Sequence, residues 1–381
     1  MRDLGRVVTG KTPSTAAPEN FGGDYPFLTP TDMHGSKWAR KTDRGLSTTG
    51  ASRLRGQIPA GSIAVSCIGW QMGKAILTDR PTYTNQQINT IIPNQGFDAE
   101  YLYYYFATRR DELLSIGSAG GVRTPIISKS SFEALHVEVP DLRVQRNVAS
   151  ILSAYDDLIE NNTRRIAVLE EMARRIYEEW FVRFRFPGHE GARMVESELG
   201  LVPEGWRVRL LGDEIELAYG KALKAEDRAL GNVPVYGSSG VVGHHSAPLV
   251  VGPGIIVGRK GNVGSVHWCD VPFFPIDTVF YVNTALPLHY VFFNLQRQNF
   301  LNNDAAVPGL NRNQAYALPL LVPSRDVLGR LDAESAQLLG LARLLARKTV
   351  NLRATRDLLL PKLISGELDV SAMSEPEALA A

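Results

Sequence analysis

The seam positions between Leu152 and Trp180 are Leu152, Tyr155, Ile159, Asn162, Ile166, Leu169, Ala173, Ile176 and Trp180. Their spacing alternates three and four, which predicts a helix with a heptad seam. A second run places leucine at every seventh residue: Leu331, Leu338, Leu345, Leu352 and Leu359. A strict seven-residue period implies a left-handed supercoil, because a straight helix drifts out of register with it. Pro361 is expected to end this helix or nearly so, since it donates no hydrogen bond and crowds the preceding turn. A helix of about 38 residues would be ~57 Å long, more than a globular core needs. Two such helices in one chain most simply pair, and the sequence between them predicts an antiparallel pair. Asn162 then occupies a core position, where a polar side chain fixes register at a cost in stability.

Outside the helices the chain repeats itself. Each half is a strand-and-turn segment closed by an apolar run ending in Val-Pro, at Val139-Pro140 and Val322-Pro323. Aligning those ends sets Phe132 over Tyr316, Leu135 over Leu318 and Val137 over Leu320. Upstream, Tyr101 to Phe106 lies over Tyr290 to Leu295, and Pro59 to Val65 over Gly252 to Val257. One duplicated module on a helical spacer suits a long ligand with two separated subsites.

At 381 residues the chain has room for two or three domains. No apolar run approaches a membrane span, and no basic-then-apolar leader opens the chain. Cys67 and Cys269 lie in different halves and suggest no disulfide framework, so a reducing cytoplasm is expected. The net charge is only +1, so any nucleic-acid contact must come from local basic loops.

Such loops recur in matching places. Ile68 to Lys74 contains Trp70, Gln71 and Lys74, and Gly258 to Gly264 contains Arg259, Lys260 and Asn262. A second pair of tips is Ala119 to Pro125, with Arg123, and Val307 to Asn313, with Asn311 and Arg312. A third element is Pro234 to Gly240, with Tyr236, Ser238 and Ser239, followed by His244-His245; its counterpart is Gly10 to Ser14, with Lys11 and Thr12, and onward to Thr31 to His34, and Lys221 is a further candidate. Glycines allow close backbone approach, and these polar types read phosphates and base edges. Any one of these residues taken singly reads first as part of a solvated hairpin; the set of matching loops taken together reads as a nucleic-acid surface.

Catalytic motifs are mostly absent from the sequence. There is no phosphate-binding Gly-x-x-x-x-Gly-Lys-Ser/Thr loop and no Asp-Pro-Pro-Tyr or Asn-Pro-Pro-Tyr motif of amino methylation. His244, His245, His267 and Cys269 match no standard zinc spacing. Cys67 reads as a buried small residue rather than a nucleophile. The acidic pairs Asp156-Asp157, Glu170-Glu171 and Glu178-Glu179 alternate with Arg164-Arg165 and Arg174-Arg175, which reads as a solvated or partner-facing helix surface.

The stretch Gln145 to Asn162, with Leu169 to Ala173 and Glu178 to Phe181, closely resembles the central helix of type I restriction-modification specificity subunits. Leu352 to Val370 resembles that family's second helix and its end. Leu4-Gly5 with Gly10 to Pro13, and Trp206 through Gly212, resemble the starts of its two target-recognition domains. Residue 1 lies close to the first of these, where the family usually has a short lead-in. The resemblance implies an α+β fold: two pseudo-repeated, strand-rich mixed α/β target-recognition domains separated by two long antiparallel coiled-coil helices. The implied boundaries are 1–144 and 187–324 for the recognition domains, 145–186 and 325–365 for the helices, and 366–381 for a flexible tail. It further implies a non-catalytic subunit reading bipartite double-stranded DNA in the cytoplasm. DNA methyltransferase and motor-nuclease subunits would be its partners, and S-adenosylmethionine, ATP and Mg would serve those partners, not this chain. A stand-alone DNA-binding module, or an enzyme with unrecognised motifs, are the competing readings.

Overall fold

The computed structural model describes residues 1–374 except 2, 55, 120–122 and 301–308. The chain divides into two compact units, Met1–Thr163 with Arg347–Ala381, and Arg164–Ala346.

The first unit opens with β1 (Gly5–Thr9), β2 (Phe21–Leu28), β3 (Arg44–Leu46) and α1 (Thr48–Ser52). It continues with β4 (Ile63–Ser66), β5 (Ala75–Leu77), β6 (Tyr83–Thr84), β7 (Ile88–Pro93), α2 (Ala99–Thr108), α3 (Arg110–Ser118) and α4 (Lys129–Glu133). An antiparallel sheet runs β1-β7-β4-β5, and a smaller sheet runs β3-β2-β6 with β2 and β6 parallel. Helix α2 carries the run Tyr101 to Phe106, buried at every position. A helix apolar all round must be covered on all sides. Its core includes Ile63, Val65 and Ile91 of the sheet, with Leu152 and Leu363 of the long helices described below.

The second unit repeats this frame. After the hairpin β8 (Met194–Ser197) and β9 (Gly200–Pro203) come β10 (Arg207–Leu210), α6 (Leu211–Glu214), β11 (Ile215–Tyr219), β12 (Val233–Gly237) and β13 (Gly240–His245). Then follow β14 (Gly254–Gly258), β15 (Val266–Cys269), β16 (Phe274–Pro275), β17 (Val279–Thr284), α7 (Leu288–Arg297), α8 (Arg312–Tyr316) and β18 (Pro319–Val322). The sheets β11-β17-β14-β15 and β13-β12-β16 reproduce the order and the single parallel pairing of the first unit. Here α4 and α8 correspond through their caps, Ser128 and Asn311. That register sets Phe132 opposite Ala315, one residue from the Tyr316 pairing drawn from the sequence.

Two long helices complete the units, α5 (Leu142–Phe181) and α9 (Arg325–Ser365), of 40 and 41 residues. Each gives one part to each unit. In the first unit they run antiparallel: Asn147 Nδ2 donates to Val370 O at 3.0 Å beyond the end of α9, and Asp156 pairs with Arg356 a few turns along. In the second, Ala173, Tyr177 and Phe181 share a core with Val327, Leu328 and Leu331. Leu152, Ile159 and Asn162 of the expected seam are buried, and Tyr155, Ile166, Leu169 and Ile176 are half-buried. On α9, Leu331 and Leu345 are buried, while Leu338, Leu352 and Leu359 are half-buried. The other row of that seam is Leu328, Ser335, Ala342, Thr349, Arg356 and Leu363, mostly small or polar.

Three expectations change. Helix α9 runs through Pro361 to Ser365 and stops at Gly366, whose φ of +79° ends the helical path. A proline so near the end forfeits only one hydrogen bond before the helix stops anyway. The segment after it is not a free tail over residues 366–374. Leu368 N–H bonds Lys362 O at 3.1 Å, and Val370 is buried in the first core. Residues 375–381 lie outside the described residues. Finally, Asp156 is no solvated surface acid: it is 8 % exposed, accepts from Tyr104 Oη at 2.6 Å and pairs with Arg356. Two partners on different helices are what make its burial tolerable.

Candidate nucleic-acid interface

In the second unit three loops close on one another. The turn after β14 is clamped by its backbone, with Arg259 and Lys260 N–H both donating to Thr278 O at 2.9 and 3.0 Å. Leu310 N–H then donates to Arg259 O at 2.8 Å, which draws the Gly309–Arg312 segment alongside. The β12–β13 turn closes the third side. Asn262 N–H reaches Ser238 Oγ at 3.3 Å, and Asn262 Nδ2 reaches Ser239 Oγ at 3.2 Å. Gly261 and Gly264, with φ of +79° and +76°, permit the tight path between them.

These closures bring Arg259 and Arg312 to a common platform. Their guanidinium carbons lie 5.1 and 4.9 Å from the ring centroid of Tyr219, at the end of β11. Tyr219 is 50 % exposed. Arg259 Nη1 also donates to Asp277 O at 2.9 Å, and among the described residues no carboxylate forms an ion pair with either arginine. Each aromatic contact is worth ~0.5–1 kcal/mol at an exposed site, enough to bias a side chain without fixing it. Lys260 and Lys221 are exposed beside them, and His244 is exposed on β13.

The first unit repeats the backbone closures at Arg259 with other side chains. Cys67 and Ile68 stand where the second unit has Arg259 and Lys260, since Ile127 N–H donates to Cys67 O at 2.9 Å and Ile68 bridges Ile126. Thr9 stands at the position of Tyr219 and donates to Asn89 Oδ1 at 2.7 Å. Lys11 follows as Lys221 does, and Thr12 Oγ1 donates to Gln86 Oε1 at 2.6 Å. Trp70 projects from the β4–β5 turn, 71 % exposed, with Gln71 half-buried next to it and Arg123 exposed across Gly69 N–H to Pro125 O at 2.8 Å. Burial pushes the Cys67 thiol up to about 11, so it is no nucleophile here.

Three sequence candidates turn inward. Lys74 Nζ donates to Met33 O at 2.8 Å, a carbonyl 41 residues away. Tyr236 is half-buried beside Phe273, and burial followed by the neighbouring Cys269 thiol holds its hydroxyl protonated above its usual range. Ser238 is 8 % exposed and braces the Asn262 turn through its Oγ. Asn311 spends its side chain capping α8, accepting from Asn313 N–H at 3.0 Å. Gly120, Gly121 and Val122 of one expected tip, and Val307 and Pro308 of another, lie outside the described residues. Tyr219 was not among the sequence candidates. The signal for it is the repeat itself, Thr9-Gly10-Lys11 against Tyr219-Gly220-Lys221.

Residues 1–171 match the family described as type I restriction modification DNA specificity domain. The chain is 31 % identical over 224 residues to the type I restriction enzyme MjaIX specificity subunit of Methanocaldococcus jannaschii, covering 58 % of this chain and 51 % of that one. It is 35 % identical over 168 residues to the HindI specificity subunit of Haemophilus influenzae, covering 42 % and 36 %. It thus spans about half or less of the curated relatives it matches. The S subunit of a type I restriction-modification system from M. genitalium superposes with a TM-score of 0.64 over 95 % of this chain and 94 % of that one, at 17 % identity. At that identity the likeness shows the fold.

Proposed function

We propose, from the match of residues 1–171 to the type I restriction modification DNA specificity domain, that the chain is the DNA-recognition subunit of such an enzyme. Each unit reads one half of a bipartite duplex target in the major groove. The long helices set the gap between half-sites and dock the methyltransferase subunits, which use S-adenosylmethionine to methylate adenine. Motor-nuclease subunits, with ATP and Mg, join that assembly in the cytoplasm. This chain supplies specificity and no chemistry of its own.

One observation carries the reading: the two units keep the same strand order and loop closures but present different side chains there. Cys67 and Arg259, Ile68 and Lys260, and Thr9 and Tyr219 are equivalent in backbone and unlike in chemistry. A shared frame with divergent tips suits two readers of two different sequences. The test is to exchange residues 1–144 for the matching segment of a relative and map methylated adenines in host DNA. One half-site should change and the other persist. If both change together, or if no bipartite motif is methylated, the reading fails.

A further inference from the structure

Resting on that reading, we propose that the second unit reads guanine, with Arg259 and Arg312 as the reading side chains and Tyr219 as the residue that positions both. The two guanidinium groups arrive from separate loops yet share one aromatic ring, at 5.1 and 4.9 Å from its centroid. Arg259 is seated further by Phe280 at 5.9 Å and Arg312 by Tyr316 at 5.8 Å. A guanidinium on an aromatic face keeps its N–H groups free at its edge, in the fork that matches two adjacent acceptors. Among the described residues no carboxylate takes those donors; Arg259 Nη1 is held by Asp277 O at 2.9 Å, which leaves its Nη2 and Nε edge for the base. Guanine presents such a pair, N7 and O6, in the major groove, and no other base does.

The geometry also bounds the spacing. Two groups on one ring lie at most about 10 Å apart, roughly three base-pair steps at 3.4 Å each. Both arginines can therefore serve one half-site, on the same or neighbouring base pairs. Lys260, exposed and without an aromatic seat among the described residues, is a point charge suited to phosphate instead. The first unit has Thr9, Cys67 and Lys129 at the equivalent places, so the guanine rule applies to the second unit alone.

The exchange of residues 1–144 identifies the half-site that belongs to the second unit, as the one that persists. That half-site should contain at least one G·C pair. With the complete chain and a duplex carrying the mapped target, Arg259→Lys and Arg312→Lys should each weaken binding roughly 5- to 150-fold and relax selectivity at one guanine. Replacing that guanine with 7-deazaguanine should cost the wild type a similar factor and cost the matching variant little more. Tyr219→Phe should keep selectivity at both positions, and Tyr219→Ala should lower it at both. A persisting half-site without guanine overturns the proposal and leaves the recognition role standing. So does a uniform loss across all duplexes with a shallower salt dependence, the mark of phosphate contacts. Absence of any bipartite motif removes the recognition role, and this proposal with it.

Discussion

Removing the carboxylate of Asp156 should loosen the first unit selectively. Asp156 joins three elements: it accepts from Tyr104 of α2 at 2.6 Å and pairs with Arg356 of α9 while standing on α5 itself. Stripping one partner from a fully buried pair costs ~3–5 kcal/mol, because the other charge is left unmatched. Arg356 keeps 18 % of its side chain exposed and has Asp357 at 2.8 Å. Both soften the loss, so Asp156→Asn should cost about 2–3 kcal/mol of local stability. Tyr104→Phe removes one hydrogen bond to a charged acceptor and should cost about 1.5–2 kcal/mol.

Amide hydrogen exchange reads this locally, since each unit can open with its own free energy. In Asp156→Asn, peptides spanning α2 and residues 142–163 should exchange roughly 30- to 150-fold faster, at tenfold per 1.4 kcal/mol. Peptides of α7, in the other unit, should not change. The double variant Asp156→Asn with Arg356→Met should be at least about 1 kcal/mol more stable than additivity gives, because it leaves no orphaned charge. An acceleration below about threefold, or strict additivity of the two substitutions, would refute the claim that this contact latches the helices in the first unit.

Two further outcomes follow from local features. Asp98 caps α2 by accepting from Tyr101 N–H at 2.8 Å, yet burial, more than that bond offsets, holds its carboxyl above the usual range. A raised folded value means the folded state binds the proton more readily, so this group's contribution is present at low pH and declines as pH rises from about 4 through the folded value. Asp98→Asn should flatten that decline in urea unfolding across pH 4–7 while keeping the cap, and Asp98→Ala should cost about 1 kcal/mol; an unchanged pH profile in Asp98→Asn would contradict it. Inserting four residues near Asn162 adds roughly 6 Å of helix. If the assembled enzyme survives, its methylation map should show the gap between half-sites longer by one or two base pairs, with both half-site sequences kept, and an unchanged gap would mean the helices are not the ruler.

How legible these features were depended on whether partners are near in sequence. The leucine row from Leu331 to Leu359 was visible because hydrophobicity marks it at every seventh residue. The facing row was not, because Ser335, Thr349 and Arg356 look like surface on a helix read alone. Asp156 misled for the same reason: its acceptors' partners stand 52 and 200 residues away. The run Tyr101 to Phe106 announced a fully covered helix. Among the loops, the tips bearing Arg259, Lys260 and Arg312 were readable from glycine and charge. Lys74 carries the same signature but folds back on a carbonyl that only tertiary structure brings near. The duplication was readable but incomplete. The β8–β9 hairpin and the β10–β18 pair belong to the second unit, while the first-unit run 136–139 forms no described strand.

On the proposed recognition role, the repeat also explains how specificity can change without loss of the fold. In each unit one closure between tips is backbone to backbone: Ile127 N–H to Cys67 O in the first, Leu310 N–H to Arg259 O in the second. Such bonds do not depend on which side chain occupies the position, so a buried thiol and a guanidinium can stand on the same frame. The core that stabilises each frame lies mostly elsewhere, in α2 against β4 and β7 and in α7 against β14 and β17, although Cys67 itself joins the first core. Burial of an apolar core side chain contributes ~1.5–3 kcal/mol, whereas an exposed tip substitution usually changes stability by less than about 0.5 kcal/mol. Exposed tip residues are therefore nearly free to vary, unlike the buried Cys67 and Met72 and unlike Ser238 and Lys74, whose side chains have become part of the frame. Substitutions at Ser238 and Lys74 should alter loop order before they alter which base is read.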